Sequence, residues 1–347
     1  MREVIISALL LTAALPAAAQ STATLRGIDA YRSAALTSEK ARELFEPRLK
    51  LYVGLRNLGT SGGLEKAEVL RLKMEKEAAA LPGVKWVDLR VSEYFTSVDH
   101  AMYAVFDVVD AADASRLTFT PAPQAKIPDP DGALAAWRAY VAKGEALSRR
   151  GEMPLDRPNC PGFYCLWGGT PELDSAQRTF VEAARKNKGE ELKRVLLADA
   201  DGAARADALF VLGYSASGPE VAALCREALS DSDARVRGAA LQILADLANH
   251  HPEQEIGLDR VLLRLDDPSS AVRGKAMGLL VPLAERAAYR PAMLAAAPRM
   301  AALLKLSQPE SRALSFTLLA LLSKKSFDRE DFSAWDAWAA KAAAGKP

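Results

Sequence analysis

The stretch Ser230–Ala248, SDSDARVRGAALQILADLA, decides how the C-terminal half of this chain is read. Its apolar residues Val236, Ala239, Ala240, Ile243, Leu244 and Leu247 recur at steps of three and four, the period of a helix that buries one face. Asp231 and Asp233 stand just before that pattern, and either can cap the helix by accepting N–H groups of its first turn. Arg237 is followed by a small residue at the third position, Ala240, and a large apolar one at the fourth, Leu241.

The same order returns in ADGAARADALFVLG from Ala200, PSSAVRGKAMGLLV from Pro268 and PESRALSFTLLA from Pro309. The marker arginines Arg205, Arg237, Arg273 and Arg312 lie 32, 36 and 39 residues apart, the spacing of an irregular helical repeat. Further helical stretches lie between them, such as PEVAALCREALS from Pro219 and EQEIGLDRVLLRL from Glu253. Each unit is therefore two antiparallel helices, which bury their apolar stripes only by stacking on the next pair. LDDPSSAVR predicts Asp267 as an N-cap with Pro268 at the first helical position. Pro282 predicts a kink in the third unit.

These residues resemble HEAT repeats, over about Glu190 to Lys325. The resemblance implies that an entry aspartate and the marker arginine interlock between neighbouring repeats, a role that falls on Asp233 with Arg237 and on Asp267 with Arg273. The last repeat departs, with Gln308 and Pro309 where the acid is expected, which suits a terminal unit. Such an array offers a concave surface, so a protein or peptide partner is expected.

The expected fold is mainly α: a C-terminal α-solenoid of HEAT-like helix pairs over 174–325, preceded by a small α+β domain over 20–120. Residues 326–347 form a C-terminal cap and tail, in which Trp335 and Trp338 cover the open end of the core. In the α+β part, Thr37 predicts the N-cap of a helix that Pro47 breaks or bends. A second amphipathic helix follows, running to Leu81. VKWVDLRVSEYF then alternates as a half-buried strand, and HAMYAVFDVVD reads as another. With a first strand near Leu25–Ile28 the order is similar to the β-α-α-β-β of POTRA domains, which implies capture of an extended peptide along a sheet edge. Residues 121–173 hold a Pro-rich linker, a helix with Asp131 as its cap, and the segment NCPGFYCLWGG.

That segment carries two of the three cysteines. Residues 1–19 read as a signal peptide: the apolar run Val4–Leu15 is too short to span a bilayer, and Ala17–Ala19 suits cleavage. Export to the periplasm or exterior as a soluble chain favours a disulfide between Cys160 and Cys165, a clasp at the seam between the two parts, with Cys225 buried in a helix. C-x4-C lacks the spacing of a thioredoxin-like motif, and no further Cys or His pair lies near enough to complete a zinc site.

A formal net charge of +1 gives no reason to invoke nucleic acid or an anionic membrane surface, and no insertion into the membrane is expected after cleavage. Ser215 sits in a near match to a nucleophile elbow, but between repeat helices rather than after a strand. His250 and His251 are adjacent and point about 100° apart on a helix, a poor chelate. No catalytic residue, cofactor or metal is expected. The functional expectation is an exported, non-enzymatic interaction or scaffold protein; the alternative is an envelope enzyme or redox protein with no recognisable catalytic set.

Overall fold

The structure, a computed structural model, describes residues 22–95, 99–152, 160–164, 166–167, 169–186 and 189–345. The chain is mainly helical, with a three-stranded sheet near its start and a helical repeat region behind it. The sheet unit runs β1 (Thr24–Tyr31), α1 (Ser38–Asn57), α2 (Ser61–Ala79), β2 (Val84–Phe95) and β3 (His100–Asp110). Strand β3 is central, parallel to β1 and antiparallel to β2. The apolar faces of both helices close over the sheet, burying Phe45, Leu49 and Met74 against Ile28, Leu89 and Phe106. Thr37 caps α1 by accepting the Lys40 N–H. Of the break or bend expected at Pro47 there is no break, since α1 continues to Asn57; the proline lies on the exposed side of the helix, where water can meet the carbonyl it leaves unpaired.

Fourteen helices make up the described helical part of the chain, and the twelve that follow the sheet are α3 (Ala133–Arg149), α4 (Pro171–Lys186), α5 (Glu190–Ala198), α6 (Gly202–Leu212), α7 (Gly218–Ala228), α8 (Ala234–His250), α9 (Leu258–Leu263), α10 (Ser270–Leu283), α11 (Arg290–Ala295), α12 (Ala297–Leu304), α13 (Pro309–Ser323) and α14 (Phe332–Ala343). The second helix of each pair, α6, α8, α10 and α13, packs on the next one in series. Helix α3 joins this layer by packing on α6 and α4. Its Trp137 and Tyr140 pack on the helical array, beside Phe180 and Tyr214. Asp129, not Asp131, caps α3, accepting the N–H groups of Leu134 and Ala135. Pro282 produces no mid-helix kink, because α10 ends one residue later at Leu283.

Three of the four marker arginines, Arg205, Arg237 and Arg273, are buried, and their guanidinium groups tie the turns of the array together, whereas Arg312 is half-buried and pairs with Glu330. Arg205 donates to both carboxylate oxygens of Asp231, at 2.8 and 2.6 Å, and also to the backbone oxygen of Asp199. Arg237 repeats this one unit later, forking onto Asp267 at 2.8 and 2.7 Å while donating to the backbone oxygens of Asp231 and Ser232. The expected pairs Asp233–Arg237 and Asp267–Arg273 are thus displaced by one unit. Each arginine takes main-chain oxygens from its own turn and the carboxylate of the next. Asp233 caps α8 and holds Arg235. Asp267 is not the N-cap of α10, which is Ser269; its carboxylate accepts the Ser269 N–H two residues on, as Asp231 does for Asp233.

The next turn has Leu306 where an acid would stand, and Asp107 of β3 supplies it. Asp107 accepts from Arg273 and from the Ser270 N–H, so the central strand of the sheet completes the helical ladder from outside. Asp29 of β1 adds a second tie, accepting the N–H and hydroxyl of Ser307 at 2.8 and 2.6 Å; burial raises its carboxyl above the usual range. Gly27 lets β1 come this close, since a Cβ there would lie 2.0 Å from the Ser307 hydroxyl oxygen. Aromatic rings cover the exposed flank of two rungs, Tyr31 over Arg273 and Phe119 over Arg237, each at 4.0 Å. From Phe119 the Pro-rich linker runs back along the turns, bridging Thr120 to Asp231 and Ala125 to Asp199, and delivers the chain to α3.

Candidate interaction surface

The layer of second helices opens on one side into a groove of about 540 Å³. Its walls come from α3, α6, α8 and α10, and its floor from small residues such as Ala203, Ala206 and Ala239. At one end the rings of Trp137, Phe210 and Tyr164 stack in sequence, with Phe210 between the other two at 5.2 and 5.0 Å.

Tyr164 belongs to the cysteine segment, and three contacts seat that segment on the helices. The Phe163 N–H donates to the Gly213 oxygen at 2.8 Å, the Trp167 N–H to the Tyr140 hydroxyl at 2.8 Å, and Gln242 of α8 to the Tyr164 hydroxyl. Trp167 lies flat over Gly144, where any Cβ would approach its ring to 2.2 Å. The expected clasp at the seam with the sheet unit is therefore placed elsewhere: these described residues bind α3, α6 and α8.

The charges of the groove are of two kinds. Arg138 and Asp207 pair at 2.6 Å, with burial raising the Asp207 carboxyl above its usual range despite the arginine; Arg235 is held by Asp233. Lys275 of α10 instead donates to the amide oxygen of Gln242 at 2.9 Å and forms no ion pair among the described residues, with Glu310 its longer-range carboxylate. Lys275 as a whole is exposed, yet the protein walling the groove lowers the ammonium below the ordinary lysine value by desolvation. Glu145 of α3, at the opposite wall, is exposed and has no ion-pair partner among the described residues.

A second cavity, of about 460 Å³, lies on the other layer, between the linker at Pro121 and Pro123 and the helices α5 and α7. The sheet edges, by contrast, are blunted. The main chain of Leu89, midway along β2, is taken by Glu75 and Arg71 at 2.9 and 2.8 Å, and Ser38 accepts the Ala30 N–H of β1. Such occupied edges oppose the addition of a peptide strand, the mode that the POTRA likeness implied.

Residues 189–280 match the family model of HEAT repeats. The match takes in Arg205, Arg237 and Arg273, three of the four marker positions, and α5 through most of α10. No curated protein and no solved structure matches the chain.

Among the expected site residues, Asp267 and Arg237 meet as one rung, Arg273 meets Asp107, and Asp233 caps a helix. Cys165 and the signal segment 1–19 lie outside the described residues. Cys225 is buried in α7 as a free cysteine, its thiol pKa pushed up by that burial. His251 packs on Phe163, His100 bonds Glu93, and no three His, Cys, Asp or Glu side chains among the described residues are grouped to hold a metal. No helix among the described residues is long and apolar enough to cross a membrane. Sequence reading missed Asp107, Glu145 and Lys275. Asp107 had a signal, an acid between Phe106 and Val108 in the apolar interior of the strand; the other two look like any solvated helix charge.

Proposed function

We propose that this chain is a non-enzymatic scaffold, and that its repeat array takes a protein or peptide partner in the groove of the second-helix layer, its concave face. The observation that supports this is the groove itself: an open trough with half-buried aromatic and aliphatic walls, crossing four helices of a repeat fold. Exposed apolar surface of that kind in a repeat protein is a contact site. A photo-crosslinking amino acid placed at Ala203, in the groove, is expected to trap a partner in native extracts, whereas the same group at the exposed Leu197 of the other layer traps none. Equal trapping at both positions would reject the groove as the contact site.

The reading includes export by residues 1–19 to the periplasm or exterior, and a disulfide between Cys160 and Cys165. Cys160 is not free, and Cys225 is. Bridging these positions stiffens the turn that presents Tyr164 to the groove. Denatured but unreduced protein, isolated after export, is expected to bind one equivalent of alkylating reagent by mass, at Cys225; three equivalents would remove the disulfide.

A further inference from the structure

Glu145 and Lys275 line one groove from opposite walls, and neither is in an ion pair among the described residues, Glu310 acting on Lys275 only at longer range. The other charged side chains on that surface are treated differently: Arg138 is neutralised by Asp207, and Arg235 by Asp233. Between the two unpaired ends lies apolar surface, Val141, Leu166 and Phe210, over a floor of alanines. Lys275 is also held in place. Its ammonium donates to Gln242, whose amide is oriented in turn by the Tyr164 hydroxyl, so the remaining donors keep a set position on the groove wall.

We infer that the groove reads an extended peptide in one direction, with a cationic group of the peptide against Glu145, a carboxylate against Lys275, and apolar side chains between them. This inference rests on the groove being the contact site. The order of helices across it is α3, α6, α8, α10. Packed helices lie about 8–10 Å apart, and the Lys275 ammonium reaches back to Gln242 on α8, so about two steps, roughly 18 Å, separate the two charges, the reach of about five or six extended residues. A peptide of that length brings one charge to each end at once. A reversed peptide sets like charges together at both ends, and such juxtaposition is how interfaces reject wrong partners.

The test is selection from a display library of random nine-residue peptides against the full chain, repeated with the charge-swapped variant Glu145→Lys/Lys275→Glu. Wild type is expected to enrich peptides with Lys or Arg near one end and Asp or Glu near the other, in one orientation. The swapped variant is expected to enrich the opposite orientation. For a selected peptide, reversing its charged ends is expected to weaken binding about tenfold or more, as two close charge pairs become two repulsions. A third protein, Ala142→Trp, fills the exposed rim of the groove on α3, and its fold is checked by circular dichroism. Enriched peptides with no charge order, still lost on Ala142→Trp, would overturn the directional reading and leave the groove standing. Peptides that bind Ala142→Trp undiminished would overturn the groove, and a library with no enrichment would overturn both.

Discussion

Replacing Asp107 with alanine is expected to destabilise the protein by about 3–5 kcal/mol, the range for removing one partner of a buried ion pair. Asp107 and Arg273 are 0 % and 2 % exposed at their side chains, so water cannot take over the lost contact without opening the seam. In the variant, Arg273 keeps its bonds to the backbone oxygens of Asp267 and Pro268 and its ring contact with Tyr31, but its charge has no counter-ion there. The Ser270 N–H at the start of α10 loses its acceptor as well. The cost therefore comes from stranding a cation more than from losing an attraction. For that reason the double variant Asp107→Leu/Arg273→Met, which fills the same space with apolar groups, is expected to recover most of the stability. Urea unfolding of the three proteins measures this. A loss below about 1 kcal/mol in the single variant would mean that the sheet unit is not anchored through this rung.

The repeat region was legible because its signal is redundant. Apolar period, entry acid and marker arginine return together, so an error at one position leaves the others in register. The pairing of the rungs was not legible at that level. Asp231 and Asp233 are two residues apart and chemically alike, and only the turn geometry sends Asp231 to Arg205 and Asp233 to the first turn of α8. The same limit applied to Asp267, read as a cap because caps and rung acids share one residue type. The surroundings of helix α3 were not legible for a different reason. Trp137 and Tyr140 announce burial but not against what, and their partners Phe180 and Tyr214 lie far along the chain. The sheet unit was readable as elements, since period two and period 3.6 alternate cleanly there. Its attachment was not, because Asp107 and Asp29 are single residues that act only where they meet Ser270, Arg273 and Ser307.

The groove was the least legible feature, and its physical nature explains why. It is made of what the helices lack, small side chains at Ala203, Ala206 and Ala239, which in a sequence look like ordinary helix formers. Tyr164 is supplied by a loop, and Glu145 and Lys275 belong to helices 130 residues apart in the chain. Nothing local marks them. What does carry over from sequence to site is the repeat itself, because stacking the second helices side by side is what creates a continuous wall along which an extended partner can lie.

Replacing Trp335 with alanine is expected to cost about 3–5 kcal/mol, the usual range for truncating a buried tryptophan. Trp335 of α14 is fully buried, edge-on to Phe316 of α13 at 5.8 Å, to Phe327 at 5.1 Å and to Trp338 at 6.3 Å. Its indole N–H donates to the Asp328 oxygen at 2.9 Å, so the truncation also removes that bond and leaves the oxygen with the Asp331 N–H alone. These contacts place the last helix over the end of the stack, on α12 and α13, where an unpaired repeat would expose its apolar face. In a repeat array stability is a sum over units and their neighbours, so loss at one end loosens that end first. Amide exchange is therefore expected to rise in α12, α13 and α14, while α5 to α8 keep the protection of the wild type. Asp107→Ala differs in pattern, loosening β3, the start of α10 and the turn at Ser307 from the middle outward. A small loss of stability in Trp335→Ala, with exchange unchanged along α13, would remove the capping role and make the tryptophan pair a surface for a partner instead.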